Sequence, residues 1–352
     1  MVAPVRRVLA ALTLATSLAL VAACAPAERT TAAGTVAPVA ADPTTTPTPP
    51  AGTPTPHLVA WHAPVEAIFV HPLVLDPQLA FRPDPLGKGF EDFFVTAREF
   101  GVLLDQLWRN RWTLVDLHDV AAGTVRVPRG RKPLVLIEDD ANYYRYFEGR
   151  GLARRLTLDP EGRIRAQLDD GRLTDQDVVP MVDAEVAAHP EFSADGAKGL
   201  LAETAFEGLL GERDAATAAG RARLAPLVAA LKADGWTFAS HTYGHIDLTT
   251  TSPAAIREDL AKWHAIADPV LGPVDVLVYP FGAPPSTSMT EELARDGFPL
   301  QMDIDIRATL RHVGPATIIS RRHVDGLAFD VPSRQAPFYS VAAVRDPLRP
   351  GD

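Results

Sequence analysis

Two short stretches of the sequence carry residues suited to metal chemistry. The stretch EDD, residues 138–140, follows the apolar run PLVLI, and the stretch HTYGH, residues 241–245, follows the apolar run WTFAS. Three adjacent carboxylates at the end of a buried strand repel one another, and a bound cation is the simplest compensation. A solvated turn that caps the next helix is the alternative. His241 and His245 can face one ion if their loop turns helically.

Joined together, the two stretches predict a single metal site with an adjacent base. Two neutral imidazoles and one carboxylate oxygen are an ordinary donor set for zinc or a similar transition metal, with open positions for water. A second carboxylate beside the ligand is then placed to take a proton from that water. No glutamate follows His241, which excludes the H-E-x-x-H helix of metalloproteases.

The elements that must position these residues alternate between strands and helices from about residue 57. Apolar runs such as VEAIFV, PLVLI, WTFAS and VDVLVYP predict strands, and the amphipathic stretches between them predict helices, one of which carries a capping box of Thr96 and Glu99. This alternation predicts an α/β fold with a mainly parallel sheet or barrel, whose functional residues gather at the carboxyl ends of the strands. Alternation in RLTLDPEGRIRAQLDDGRLT predicts an inserted β-hairpin.

Three later stretches add candidate residues. VLVYPFGAPPS ends a strand in a turn around Phe281 that can wall a groove, and ATIISRRHVDG ends another strand with two arginines and His323. QMDIDIR holds Asp303 and Asp305, either of which is a candidate acid for tuning the histidine. Taken singly, each of these residues fits a structural role at least as well as a catalytic one.

The order of the motifs resembles that of the polysaccharide deacetylase family, the NodB-homology domain of carbohydrate esterase family 4. The family signature runs T-F-D-D-G, H-S/T-x-x-H and R-P-P-Y/F-G, and here IEDDA, HTYGH and VYPFG occur in that order over roughly residues 57–340. The resemblance implies a distorted (β/α)7 barrel that removes N- or O-acetyl groups from a polysaccharide. It also implies a divalent metal, foremost Zn²⁺, with Co²⁺ or Ni²⁺ as alternatives.

Carried over by position, the resemblance implies that Asp139 is the catalytic base. The metal ligands that it implies are Asp140, His241 and His245. The first motif departs from the family pattern, because Glu138 stands where the family has phenylalanine and Ala141 where it has glycine. A slipped register, with Glu138 as the base and Asp139 as the ligand, is therefore an open alternative.

The third motif departs as well, because Val278 occupies the place of the arginine that orients the base in the family. Arg321 or Arg322 can supply that charge from a neighbouring strand end. His323 is the candidate proton donor to the leaving group. A backbone N–H near Phe281 is the candidate donor to the oxyanion.

Two rival functions remain open at this point. Glu138 and Asp139 can be read as the paired acids of a glycoside hydrolase, although His241 and His245 then have no role. The absent arginine at position 278 favours a non-catalytic lipoprotein of the same fold that only binds a glycan.

The N-terminus predicts export and lipid anchoring. A basic start and an apolar run end in VAAC, which predicts a lipoprotein signal peptide over residues 1–23 and a lipidated Cys24. The Pro- and Thr-rich residues 24–56 predict a disordered tether, followed by a catalytic domain at 57–346 and a tail at 347–352. The expected location is the outer face of the bacterial cell membrane.

Composition limits the partners and the means of stabilisation. The formal net charge of −10 makes nucleic acid an improbable partner. The resemblance implies a polysaccharide as the substrate, and the expected lipid anchor implies contact with the membrane. Cys24 is the only cysteine, so an exported domain without disulfides depends on its hydrophobic core.

Overall fold

The computed structural model describes residues 57–351, and a closed parallel sheet lies at the centre of this part of the chain. Its strands are β1 (Glu66–Val70), β2 (Lys132–Asp139), β3 (Gly199–Glu203), β4 (Trp236–Ser240), β5 (Val276–Val278), β6 (Leu300–Ile304) and β7 (Ala316–His323). Each strand pairs in parallel with the next, and β7 pairs in parallel with β1. The predicted (β/α)7 barrel is therefore confirmed.

The barrel is distorted at two seams. The strands β4 and β5 meet only where Ser240 opposes Leu277, and β7 meets β1 only at Arg322 and His323. At both seams the paired residues include the last residues of β4 and β7, so the barrel closes towards its carboxyl end.

Shorter strands surround the barrel. Trp112–Leu114 runs parallel to β2, and Leu310–Val313 runs antiparallel to β7, while Leu58–Ala60 pairs with Arg126–Pro128. The predicted β-hairpin is present as Arg155–Leu158 and Ile164–Gln167, and a third strand, Leu173–Thr174, extends it.

Helices connect the strands and cover the outside of the sheet. Their bounds are Pro77–Ala80, Pro85–Phe93, Ala97–Arg109, Leu117–Ala122, Val178–Ala188, Ala218–Ala233, Pro253–Leu271, Thr287–Arg295, Gly326–Phe329, Pro332–Gln335 and Val341–Val344, with 3₁₀ turns at Arg145–Phe147, Pro190–Phe192 and Pro280–Gly282. The capping box is confirmed, since the Thr96 hydroxyl accepts from the Glu99 amide and the Glu99 carboxylate accepts from the Thr96 amide. It opens the helix Ala97–Arg109, which the extended residue Phe94 separates from the helix Pro85–Phe93.

Two apolar layers determine the direction in which each strand residue points. In β2, Val135 and Ile137 belong to the cluster that fills the barrel, whereas Leu134 and Leu136 belong to the layer between barrel and helices. Side chains alternate between faces along a strand. Asp139 therefore continues the inner face of β2, and Glu138 continues the outer face.

The C-terminal segment packs against the domain. The guanidinium of Arg349 lies 2.6 Å from the Glu99 carboxylate, and both side chains are buried. The domain boundary expected at residue 346 stays a prediction, and so do the signal peptide, the tether and the lipidated Cys24, which lie outside the described residues. Across residues 57–351, no helix has the length and apolar character required to cross a membrane.

Candidate metal centre

The first half of the site forms where β2 ends. Asp139 is the last residue of the strand, and the chain turns at Asp140, whose φ is 57°. This left-handed conformation is uncommon for residues other than glycine, although aspartate tolerates it better than most. The turn is fixed by the amide of Ala141, which donates to the Ala202 carbonyl of β3 at 3.2 Å. Both carboxylates are consequently held at the carboxyl end of the barrel, and both are buried.

The second half forms where β4 ends. The His241 amide donates to the Glu203 carbonyl, and its ring nitrogen Nδ1 lies 2.8 Å from the Val278 carbonyl. A proton on Nδ1 leaves Nε2 as the lone-pair donor, which is the usual arrangement of a metal-binding histidine. The next turn carries His245 at a φ of 49°, and the Asp259 carboxylate holds it by accepting from two backbone amides.

Three of the expected ligands come together. Donor atoms of Asp140, His241 and His245 all lie within 4.8 Å of one another. Burial and the nearby His245 lower the pKa of His241 well below its usual range, so its imidazole is neutral, as metal binding requires. One carboxylate and two imidazoles, one of them buried and oriented by a carbonyl, fit a divalent transition metal.

Asp139 lies next to this cluster and forms an ion pair with an arginine. Its Oδ2 atom is 3.7 Å from His241 Nε2 and 2.7 Å from Nη1 of Arg321. Arg321 is buried within the barrel, and its guanidinium lies 3.9 Å from the ring centroid of Phe69. Of the two arginines considered for the place left by Val278, Arg321 on β7 is the one that contacts Asp139.

Arg322 lies away from the cluster. Strand alternation turns it to the outer side of the barrel, where its guanidinium pairs with Glu66 at 3.0 Å. It also donates to the carbonyls of Arg334 and Ile306. The structure therefore gives Arg322 contacts that hold the C-terminal segment rather than contacts with Asp139.

Glu138 is buried in the outer layer, on the opposite face of β2 from Asp139. Neither carboxylate oxygen has a hydrogen-bond partner among residues 57–351. Burial raises its pKa well above the usual range, and the nearby carboxylates of Asp177 and Glu203 add to this rise. Glu138 and Asp139 cannot flank one glycosidic bond from opposite faces of a strand. The same geometry disfavours the slipped register with Glu138 as the base.

His323 and Arg321 lie two residues apart and share a face of β7. The rings of His323 and Phe69 have centroids 4.6 Å apart, so Phe69 contacts the side chains of both Arg321 and His323. Nδ1 of His323 lies 2.9 Å from the Asp325 carboxylate. The acid beside the histidine is thus Asp325, and the expectation of Asp303 or Asp305 is wrong.

Asp303 and Asp305 have other partners. Asp303 pairs with Arg311 at 2.6 Å, across the strands β6 and Leu310–Val313, and Asp305 accepts from the backbone amide of Arg307. Phe281 is more than half exposed at a φ of 59°, with its ring 4.5 Å from that of His245. The role of its backbone N–H as an oxyanion donor stays a prediction.

Sequence reasoning gave no role to Tyr144. Its buried hydroxyl donates to Oδ1 of Asp140 at 2.9 Å and lies 3.3 Å from the Thr204 hydroxyl. The only signal in the sequence is the pair of tyrosines that follows the acidic stretch, as in DDANYY.

The carboxyl ends of the strands in α/β barrels are where barrel enzymes hold their active sites. Residues 209–299 match the family model described as polysaccharide deacetylase. HTYGH and VYPFG lie within this segment, and EDD precedes it. The match covers about a quarter of the chain and supports a hydrolase that acts on acetyl groups. No curated protein matches the chain.

Solved structures of deacetylases show a distant similarity. IcaB from Ammonifex degensii is 16% identical with a TM-score of 0.46, over 80% of this chain and 97% of that one. The deacetylase PplD of Streptococcus pyogenes is 15% identical with a TM-score of 0.45, over 77% and 94%. A polysaccharide deacetylase from Bacillus cereus is 13% identical with a TM-score of 0.45, over 80% and 69%. The assignment of the barrel therefore rests on the strand order alone.

Proposed function

We propose that this protein removes N- or O-acetyl groups from a cell-wall or extracellular polysaccharide in a reaction that depends on a divalent metal. The observation that carries the proposal is the position of Asp139, which lies beside the cluster of Asp140, His241 and His245 and pairs with Arg321. A base next to three metal-binding side chains is the arrangement that hydrolysis of an acetyl group needs.

The chemistry follows from the environment of each residue. A divalent metal held by the cluster, foremost Zn²⁺, would polarise the acetyl carbonyl and lower the pKa of water. Oδ2 of Asp139 is paired with Arg321, whereas its buried Oδ1 has no hydrogen-bond partner among the described residues. Oδ1 is therefore free to take a proton as the oxygen of water attacks the acetyl carbon.

The second proton transfer goes to the leaving group. The bond between the acetyl carbon and the sugar nitrogen or oxygen breaks only when that atom receives a proton. We assign this step to His323, because the Asp325 carboxylate holds its Nδ1 and leaves Nε2 as the nitrogen that can donate. After the product leaves, Asp139 gives its proton to solvent and His323 takes one up from solvent, which restores both residues to their starting forms.

Exposed aromatic side chains lie on the loops near the cluster. Tyr146, Phe206 and Phe281 are each about half exposed, and they lie on the loops that follow β2, β3 and β5. Exposed aromatic rings in one region mark a binding surface more often than isolated ones do. The apolar faces of sugar rings can pack on such side chains, so we propose that these three bind the glycan.

The location belongs to the same proposal. The lipobox at Cys24 and the Pro- and Thr-rich tether favour a domain anchored to the outer face of the membrane. Proline-rich linkers extend by about 3.1 Å per residue in general, so we propose that the expected tether gives the domain reach into a surrounding polysaccharide.

Acetate release tests the function. Metal-stripped and zinc-loaded protein are incubated with a panel of acetylated glycans, which includes peptidoglycan, poly-N-acetylglucosamine, chitin oligomers and acetylated xylan. We expect release from at least one glycan, loss of release after chelation, and recovery with zinc or cobalt. Asp139→Asn should abolish release and keep the metal. Zinc-bound protein that releases no acetate from any glycan would favour a binding function instead.

A further inference from the structure

Two adjacent tyrosines in the loop after β2 donate to different carboxylates. The hydroxyl of Tyr144 donates to Oδ1 of Asp140 at 2.9 Å. The hydroxyl of Tyr143 donates to Oδ2 of Asp177 at 2.8 Å, in the layer outside the barrel. Both rings are buried. The two hydrogen bonds are therefore similar, but only that of Tyr144 reaches a residue of the candidate metal cluster.

Asp140 needs an external restraint. It lies just beyond the end of β2 in a left-handed backbone conformation, and the hydrogen bond of the Ala141 amide fixes the backbone of this turn but not the Asp140 carboxylate. Its carboxylate can rotate about the bond to Cβ, and only some orientations face the two histidines. One charge-assisted hydrogen bond to one of its oxygens selects among those orientations.

Tyr144 is well placed to provide that restraint. Its ring stacks on Tyr146 with centroids 5.2 Å apart and an interplanar angle of 16°, and it meets Phe147 edge-on at 5.7 Å. The Thr204 hydroxyl lies 3.3 Å from the phenol oxygen. Contacts on several sides leave the phenol little freedom, so its hydrogen bond fixes Asp140 rather than following it.

We propose that Tyr144 is a positioning residue for metal binding, whose hydroxyl holds the Asp140 carboxylate in the orientation that the metal requires. This inference rests on the proposed metal site. Removal of a group that hydrogen-bonds to a metal ligand typically lowers the metal affinity about 10- to 100-fold. Tyr144→Phe keeps the ring and its packing and removes only the donor.

The test compares Tyr144→Phe with Tyr143→Phe in the full chain. The affinity for Zn²⁺ is measured by competition with a chromophoric chelator, and the thermal midpoint of the metal-free protein is measured alongside. We expect Tyr144→Phe to weaken zinc binding about 10- to 100-fold. Tyr143→Phe should lower the thermal midpoint and leave zinc affinity within about twofold, because its partner Asp177 lies in the outer layer.

Each outcome has one meaning. Wild-type protein that binds no zinc would contradict the proposed metal site itself. Wild-type protein that binds zinc, with an unchanged affinity in Tyr144→Phe, would overturn the positioning role alone. If Tyr144→Phe also loses stability, a double-mutant cycle with Asp140→Asn decides. The proposal expects the two effects on zinc affinity to overlap, whereas additive effects would assign Tyr144 a structural role only.

Discussion

At the scale of single residues, the site is organised by contacts between side chains that are distant in the sequence. Asp139 and Arg321 are 182 positions apart by their numbers, and their charged atoms lie 2.7 Å from each other. Taking two charges out of water is costly unless each compensates the other. The pair therefore restrains Asp139 while it leaves Oδ1 available for a proton.

Removing the charge of Arg321 should disable the base. We expect Arg321→Met to lower kcat/KM for acetate release by about 10²-fold or more, the range attributed to a positioned acid or base. Zinc affinity should change little, since Arg321 does not belong to the cluster of donor atoms. Steady-state kinetics with zinc-loaded protein and chelator competition give the two values.

Arg322→Met is the matched control, because Arg322 is adjacent in sequence and pairs with Glu66 on the outer side. It should lose stability and keep its activity per folded molecule. Equal losses of activity in the two variants would refute the assignment of Arg321. Arg321→Lys retains a cation and should recover part of the activity.

At the scale of elements, the loops after the strands determine the geometry. Asp140, Thr242, His245 and Phe281 all have a positive φ although none is glycine. Such conformations cost of order 1–3 kcal/mol each and persist only where the surroundings fix them. Here Asp259 holds the histidine loop and the Ala202 carbonyl holds the acidic turn. The clustering of strained backbone at the carboxyl end supports a functional role for these loops.

A buried ion pair joins the helix that starts at Ala97 to the C-terminal segment. Arg349 pairs with Glu99 at 2.6 Å, and both are buried. Breaking a buried pair by removing one partner typically costs about 3–5 kcal/mol. We expect Arg349→Met to lower the free energy of unfolding by about that amount, measured by urea denaturation.

Arg109→Met serves as the control on the same helix. Arg109 and Asp105 form an exposed pair four residues apart, and such pairs contribute about 0.3–0.5 kcal/mol. The stability of this variant should therefore stay close to that of the wild type. A similar small loss in Arg349→Met would mean that the buried pair contributes little to the stability of the fold.

At the scale of the whole molecule, the proposed role joins a barrel enzyme to an N-terminal anchor. We expect Cys24→Ala to shift the protein from the membrane fraction to the soluble fraction, because the proposed lipid is attached to that sulfur. Immunoblots of fractionated cells and incorporation of a labelled fatty acid measure this change. Thr44→Ala, a substitution within the tether, should leave the protein in the membrane fraction. Membrane association of Cys24→Ala at the wild-type level would contradict the anchor.

Most of the fold was accessible from the sequence because it depends on local patterns. Apolar runs predicted strands β1 to β5 and β7, and the capping box predicted a helix start. Strand β6 was missed, since Gln301 and Asp303 interrupt its apolar residues. Its partners β5 and β7 supply the backbone hydrogen bonds that make it a strand, and these are visible only in the closed barrel.

The sequence by itself determined which residue types are available for the chemistry and in which order they follow the strands. It predicted the acidic stretch, the two histidines and the two arginines as candidates. Only the tertiary structure decided that Arg321 rather than Arg322 contacts Asp139, that Glu138 faces outward, and that Tyr144 reaches Asp140. The physical reason is that both faces of a barrel strand are buried, so hydrophobicity along the chain cannot reveal which face a polar residue occupies. The face that a polar residue occupies is determined by the strands and helices that pack against it in the folded barrel.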